Sequence, residues 1–162
     1  MPPPRRSTTS TVATADRTYV DPSALLKLYI HEPESVAMNT WRRRTRGALP
    51  LTPHGQLEIV NGICLAAFRR TIDDIAMRDA LASFDEDLTE GRYEPADVLW
   101  RATLKRASEI SRGHTRALGC RTLDVLHVAT ALELGLRTFV TFDHRQRRLA
   151  RVTGLRALTP AT

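Results

Sequence analysis

The sequence predicts an α/β fold with a mainly parallel sheet, because short β-prone runs alternate with helical patterns along the chain. Apolar residues lie nearly all round the helix expected at 123–134, which is typical of a central, buried helix. Acids follow the expected strands at their carboxyl ends, where open α/β sheets bind ligands. The 162 residues, 42% of them hydrophobic, fit one domain with a substantial core.

The charge and composition of the chain limit the classes of protein to which it can belong. The chain has 24 Lys and Arg against 18 Asp and Glu, a net charge of +6, which suits a polyanionic partner such as nucleic acid or reflects arginine usage in a GC-rich gene. No run approaches the roughly 20 apolar residues of a membrane span, and no secretory signal is evident, so we expect a cytoplasmic protein without membrane contact. Cys64 and Cys120 belong to no CxxC motif, and we expect buried free thiols rather than a disulfide.

The first structured element is expected at residue 17. Residues 1–16 are rich in Pro, Ser and Thr and are expected to be a disordered extension, followed by a single domain over 17–159. A short strand ends at Asp21, and Pro22 suits the first turn of a helix that runs to about residue 30. Asp21 therefore lies at the carboxyl end of the first strand, although capping of that helix is the ordinary alternative for this residue.

The middle of the chain is expected to be helical. Glu58 and Asn61 interrupt an otherwise apolar helix at i and i+3. Glutamate is seldom buried without a partner, so Glu58 is either a candidate ligand or an exposed helix position. The expected elements are an extended piece at 48–51 and helices at 35–44, 53–70, 72–88 and 95–112, the last with Pro95 in its first turn.

The C-terminal part contains two further acids. Thr122 is a plausible N-cap of the buried helix, and Asp124 lies in its first turn, on the same face as His127. After Gly135 ends this helix, a strand is expected over 136–142 and is followed by Asp143. The polar segment 111–116 is expected to be a loop, and a basic helix from residue 144 and an edge strand at 155–158 complete the pattern.

Four acids thus share one description: Asp21, Glu58, Asp124 and Asp143. Carboxylates that share a small pocket force protonation unless a cation compensates them. Mg²⁺ and Mn²⁺ prefer oxygen ligands, and such an ion can activate water and hold a phosphate. The sequence has no HExxH motif, no nucleophile elbow and no glycine-rich nucleotide-binding loop, so zinc, serine-hydrolase and P-loop chemistry are not supported.

Four segments resemble the motifs of PIN-domain ribonucleases, in particular the VapC-like toxins of bacterial toxin–antitoxin pairs. The first is Tyr-Val-Asp-Pro-Ser-Ala-Leu-Leu-Lys-Leu-Tyr at 19–29, the second is Glu58 with Asn61, and the third and fourth are the segments 121–131 and 139–143. The resemblance spans about residues 17–159. Pro22 stands where the family often has Ser or Thr, so this chain has no hydroxyl at that position, whereas Ser23 supplies one at the next.

The resemblance implies a PIN-like three-layer α/β/α sandwich with a mainly parallel central sheet. It also implies a Mg²⁺- or Mn²⁺-dependent endoribonuclease that cleaves RNA and halts growth. Such toxins usually form homodimers or toxin–antitoxin hetero-oligomers with a small antitoxin protein, which here could occupy an exposed groove lined by Leu25, Leu28 and Tyr29. Within this interpretation Asp21, Asp124 and Asp143 bind the metal, and Glu58 is a ligand or positions the attacking water.

Other residues receive supporting roles from the same resemblance. Ser23 and Thr141 would hold a carboxylate or a water, Asn61 would support Glu58, and His127 would support or pack rather than bind metal. Candidate phosphate contacts are Arg116, Arg121 and Arg145. Two alternatives stay open: a catalytically silent RNA- or partner-binding module on the same fold, and a receiver-like phospho-accepting domain. The latter would require a second acid after the first strand and a late lysine, and the sequence has neither.

Overall fold

The structure, a computed structural model, describes residues 17–161, so the expected extension at 1–16 lies outside the described residues. These residues form short parallel strands with helices between them. The strands are β1 (Thr18–Val20), β2 (Leu49–Leu51), β3 (Tyr93–Pro95), β4 (Thr138–Val140) and β5 (Arg156–Leu158). The helices are α1 (Pro22–Leu26), α2 (Ser35–Arg44), α3 (Pro53–Phe68), α4 (Asp74–Thr89), α5 (Trp100–Ile110), α6 (Arg116–Leu118), α7 (Thr122–Glu133) and α8 (His144–Val152).

Every strand pair in the described part of the chain is parallel. Strands β1, β4 and β5 form one sheet in that order, with Tyr19 opposite Phe139 and Phe139 opposite Ala157. Strands β2 and β3 form a separate pair, with Leu49 opposite Tyr93. The predicted mainly parallel sheet is therefore confirmed, and the carboxyl ends of β1 and β4 meet at one edge.

Helices cover both faces of the β1–β4 pair, which produces three layers. Successive side chains of a strand point to opposite faces. Val20 and Val140 belong to a hydrophobic cluster built with α1, α3 and α4, whereas Tyr19 and Phe139 belong to a second cluster built with α7 and α8. The three-layer α/β/α sandwich is thus confirmed, with one core on each side of the sheet.

Several element boundaries follow from local chemistry. Helix α2 has the predicted bounds, and α3 begins after Thr52, whose hydroxyl accepts a hydrogen bond from the backbone N–H of Gly55 at 3.2 Å. Helix α7 begins one residue earlier than expected, since its N-cap is Arg121 rather than Thr122. Gly135 follows its end with φ of 67°, a left-handed conformation that glycine adopts at little cost.

The segment 93–116 differs from the prediction. Pro95 lies in strand β3 instead of opening a helix, and α5 begins only at Trp100. The expected polar loop is one π-helical turn, Ser111–Thr115, which continues α5 into α6. Both errors arise because a proline suits a strand edge as well as a helix start, and because turn-forming residues do not exclude a continuing helix.

Two further expectations about exposure are wrong. Leu25 is 1% exposed and belongs to the core beside α3, so it cannot line a binding groove, whereas Leu28 and Tyr29 are half-buried. Both cysteines are free, but only Cys120 is buried and Cys64 is exposed. Among residues 17–161, none of the helices is both long and apolar enough to cross a bilayer.

Candidate active site

The four acids singled out by the sequence line one cleft at the carboxyl ends of β1 and β4. The cleft has a volume of about 460 Å³. Its lining residues are Asp21, Ser23, Glu58, Arg121, Thr122, Leu123, Asp124, His127, Asp143 and Gln146. Two strand ends and the helices α1, α3, α7 and α8 therefore bring acids from four separate segments to one place.

Asp21 is the most buried of these acids, at 5% exposure. Its Oδ1 accepts a hydrogen bond from Gln146 Nε2 at 2.9 Å, and its Oδ2 accepts bonds from the backbone N–H and the hydroxyl of Ser23. Burial raises the pKa of Asp21, while the charge of His127 and the hydrogen bonds from Ser23 and Gln146 oppose that rise. A cation in the cleft would stabilise the charged form of this carboxyl group.

Asp124 and Asp143 are fixed by backbone N–H groups at the N-termini of α7 and α8. Asp124 Oδ2 accepts a hydrogen bond from the backbone N–H of Arg121 at 2.8 Å. Asp143 Oδ1 caps α8 by accepting bonds from the N–H groups of Arg145 and Gln146 at 2.7 and 2.8 Å. Within residues 17–161 the other oxygen of each carboxylate has no hydrogen-bond partner. Capping is therefore real at these acids, and it leaves one oxygen of each for another ligand.

Glu58 is held from across the cleft. Its Oε1 lies 2.7 Å from Nε2 of His127, and Nδ1 of His127 lies 2.7 Å from the hydroxyl of Tyr19. Burial tends to lower the pKa of His127, but the hydrogen bond to Glu58 and the charges of Asp21 and Glu58 outweigh it, so the pKa is raised. Glu58 is thus a paired acid, as a partly buried glutamate requires.

A second histidine, His54, packs against the ring of His127. The ring of His54 stacks on His127 with centroids 5.3 Å apart, and the ring of Trp100 meets His54 edge-on at 5.0 Å. Burial, with the charge of His127, lowers the pKa of His54 to about 4. His54 is therefore neutral near pH 7 and contributes an aromatic wall.

The two hydroxyls expected to support the site, those of Ser23 and Thr141, have different hydrogen-bond partners. Ser23 lines the cleft and bonds Asp21. Thr141 is fully buried; its Oγ1 accepts a hydrogen bond from the N–H of Asp143 at 3.1 Å and donates one to Gln146 Oε1 at 2.6 Å. Thr141 thereby joins the acid after β4 to the residue that holds Asp21.

The remaining sequence candidates do not all reach the cleft. Arg121 lines it, with its side chain exposed. Arg145 is exposed and donates to the carbonyl of Gly119 at 3.4 Å, and it does not line the cleft. Arg116 on α6 and Asn61 on α3 are exposed and also lie outside the lining.

Sequence reasoning assigned no role to two residues of the site, Gln146 and the phenol of Tyr19. Gln146 follows Asp143 by three positions, which is the spacing of a capping box. Its side chain instead turns inward to Asp21, at 1% exposure. Tyr19 resembles an ordinary apolar strand residue, and only its contact with His127 distinguishes it.

The cleft suits a divalent ion that keeps some of its waters better than an ion ligated by protein side chains alone. Within residues 17–161, no three His, Cys, Asp or Glu side chains are grouped closely enough to ligate one ion. Mg²⁺ usually keeps several waters and takes one or two carboxylates together with substrate phosphates. The free oxygens of Asp124 and Asp143, next to the buried carboxylate of Asp21, offer the hard donors that such an ion prefers.

The parallel sheet and its acidic edge define an α/β/α-sandwich protein with a cleft lined by carboxylates. The chain belongs to the PIN domain family, which matches residues 18–152. All four of the expected site acids fall within that match: Asp21, Glu58, Asp124 and Asp143.

Curated relatives and a solved structure agree with this assignment. Ribonuclease VapC46 of Mycobacterium tuberculosis (strain H37Rv) is 30% identical over 145 residues, covering 88% of this chain and 97% of the relative. Ribonuclease VapC47 of Mycobacterium tuberculosis (strain CDC 1551) is 29% identical over 148 residues, covering 88% and 96%. The crystal structure of FitAcB from Neisseria gonorrhoeae has the same fold, with a TM-score of 0.54, 16% identity and coverage of 87% and 96%. The resemblance to VapC-like PIN ribonucleases is confirmed.

Proposed function

We propose that the protein is a divalent-metal-dependent endoribonuclease and the toxin component of a toxin–antitoxin pair. The observation that carries the proposal is the convergence of four acids on one cleft, in a PIN domain whose two curated relatives are named ribonucleases. The receiver-like alternative is set aside because the chain belongs to the PIN family. The silent binding module remains the competing outcome of the test below.

The four acids of the cleft would have different roles in the reaction. Asp21, Asp124 and Asp143 would hold Mg²⁺ or Mn²⁺ directly or through waters bound to the ion, and the ion when bound would supply a water of lowered pKa and positive charge beside the phosphate. Glu58 would complete the ligand set or orient the attacking water. The net charge of +6 would attract RNA, and Arg121 at the cleft would contact its backbone.

The test is RNA cleavage with and without a divalent ion. The wild-type protein should cleave RNA with Mg²⁺ or Mn²⁺ and stop when a chelator is added. Asp143→Asn keeps an oxygen that can cap α8 but loses the charge, so cleavage should fall by at least about 100-fold while the fold persists. Asp79→Asn, at an exposed position on α4, is the matched control and should cleave normally.

Calorimetry supplies an independent measurement. Mg²⁺ or Mn²⁺ should bind the wild-type protein, and Asp21→Asn and Asp143→Asn should each weaken that binding strongly. A wild-type protein that binds RNA but leaves it intact with either ion would instead be a binding module. Unchanged metal binding in both variants would remove the site as described.

The partner proposal has its own test. Toxins of this kind are expected to form homodimers, or hetero-oligomers with a small antitoxin encoded alongside. A small protein should be encoded next to this gene, and its co-expression with the protein should give a complex that co-purifies and should relieve growth inhibition. Two proteins that fail to associate at micromolar concentration would contradict the pairing.

A further inference from the structure

Glu58 differs from the other three acids in how it is held. Asp21, Asp124 and Asp143 each accept hydrogen bonds from helix N-termini. Glu58 lies within α3, has a longer and more flexible side chain, and has 30% of that side chain exposed. Its hydrogen-bond partner is His127, whose side chain is 2% exposed. An unheld glutamate would occupy several rotamers, and fixing one of them costs side-chain conformational entropy.

We propose that His127 is a positioning residue that fixes the Glu58 carboxylate in the cleft, and that the Tyr19 hydroxyl fixes the His127 ring. The inference rests on the proposed nuclease function, because it concerns how one acid of that site is held. Neither His127 nor Tyr19 needs to touch the RNA or the ion. Both act through Glu58.

The His127 ring is oriented by two hydrogen bonds, one at each ring nitrogen. An ionised carboxylate can only accept, so Nε2 of His127 carries the hydrogen that Glu58 Oε1 receives at 2.7 Å. In the neutral ring Nδ1 then accepts a hydrogen bond from the Tyr19 hydroxyl, and in the protonated ring it donates one to the Tyr19 oxygen. In either state the two groups, 2.7 Å apart, hold the ring in place. Burial raises the pKa of Tyr19, so its hydroxyl keeps its proton.

Aromatic packing fixes the rings from both sides. The Tyr19 ring stacks on Phe139 at 5.4 Å with an interplanar angle of 14°, within the core beneath the sheet. The His127 ring stacks on His54 at 5.3 Å and 19°. A ring held by these contacts presents its Nε2–H in one direction, and this direction sets the position of Glu58.

The first experiment measures cleavage kinetics of full-length variants with Mg²⁺. His127→Leu removes the donor, whereas His127→Gln keeps an N–H that can reach Glu58. We expect kcat to fall by about 10–100-fold in the leucine variant, as when outer partners of a metal site are lost, with a smaller fall in the glutamine variant. KM for RNA should change little. Leu149→Ala, in the core on α8, is the control: it should lower stability without lowering kcat of the folded protein.

A double-mutant cycle separates positioning from general loss of structure. In a Glu58→Gln background, His127→Leu should lower the residual rate by less than about twofold, because the group it positions is already changed. An equal fold-loss in both backgrounds, or wild-type kinetics in His127→Leu, would overturn the inference.

A third measurement does not depend on activity or on the leucine variant folding. Tyr19→Phe keeps the stacked ring and removes only the hydroxyl. At a pH high enough for the His127 ring to be neutral, ¹⁵N NMR of the wild-type protein should show the hydrogen on Nε2, and Tyr19→Phe should show a mixture of tautomers. A wild-type ring protonated at Nδ1 alone would refute the assignment. If the wild-type protein does not cleave RNA, the proposed function fails; if it cleaves and His127 is indifferent, only this inference fails.

Discussion

Replacement of Asp124 by asparagine separates its structural role from its chemical role. Asp124 Oδ2 accepts the N–H of Arg121 at 2.8 Å, and an asparagine oxygen can accept the same bond. The loss of charge in the first turn of α7 costs about 0.3–1 kcal/mol in helix-dipole stabilisation. Relief of repulsion from Asp21, Glu58 and Asp143 acts in the opposite direction. The metal-free melting temperature should therefore shift by less than about 4 °C.

Activity should respond very differently from stability. A ligand that contributes about 3 kcal/mol to the transition state corresponds to a loss of about 100-fold in rate, since each 1.36 kcal/mol is tenfold. Asp124→Asn should therefore be folded and nearly inactive. If Asp124 serves only α7, the variant should lose a little stability and keep its nuclease activity.

The assay is a pair of measurements on the same preparation: thermal melting without metal and RNA cleavage with Mg²⁺ or Mn²⁺. Asp124→Ala also removes the hydrogen bond to Arg121, so it should lose a further 0.5–2 kcal/mol or so of stability with the same loss of activity. Asp79→Asn again serves as the control. An Asp124→Asn protein that cleaves RNA at the wild-type rate would refute the catalytic assignment.

Two further outcomes follow from buried polar groups. Gln146→Leu removes the donor to Asp21 and the acceptor for Thr141, so urea unfolding without metal should show a loss of about 1–3 kcal/mol, and unchanged stability would contradict the described network. His54 has a folded pKa of about 4 against an ordinary 6.5, so the unfolded chain binds more protons between these values, and stability present above pH 6.5 should be lost as the pH falls towards 4. The His54→Phe variant should lose less free energy of unfolding than the wild-type protein between pH 6.5 and 4. His127, with its raised pKa, changes the stability in the opposite sense, and it does so in both proteins. Equal losses of stability in the two proteins would show that His54 is not a cause of the pH dependence.

Local rules predicted much of the site. Asp21 and Asp143 were placed from strand ends followed by helix starts, and both lie in the cleft and cap their helices. The gathering of these acids needs only that the two strands are parallel neighbours, because parallel strands end at one edge. Asp124 was found from its place in the first turn of a nearly all-apolar helix.

The rest depends on contacts between distant parts of the chain. Strand β3 exists because Tyr93–Pro95 pairs with Leu49–Leu51, and nothing in the local sequence distinguishes that strand from a helix that starts at proline. The bond between Tyr19 and His127 joins residues 108 positions apart. The inward turn of Gln146 is set by the position of Asp21, 125 residues away. Residue type and spacing carry no signal for such pairs.

The pairing of β1 with β4 also sets the timing of assembly during synthesis. Asp21 is made 125 residues before Gln146, the residue that holds it. Contacts of such long separation cannot form until the intervening chain exists. A nascent chain therefore carries an incomplete cleft until the segment that contains Asp143 and Gln146 has been made. For a nuclease of the kind proposed, which would act on RNA in the cell that makes it, this topology delays activity until that segment has left the ribosome and reached Asp21.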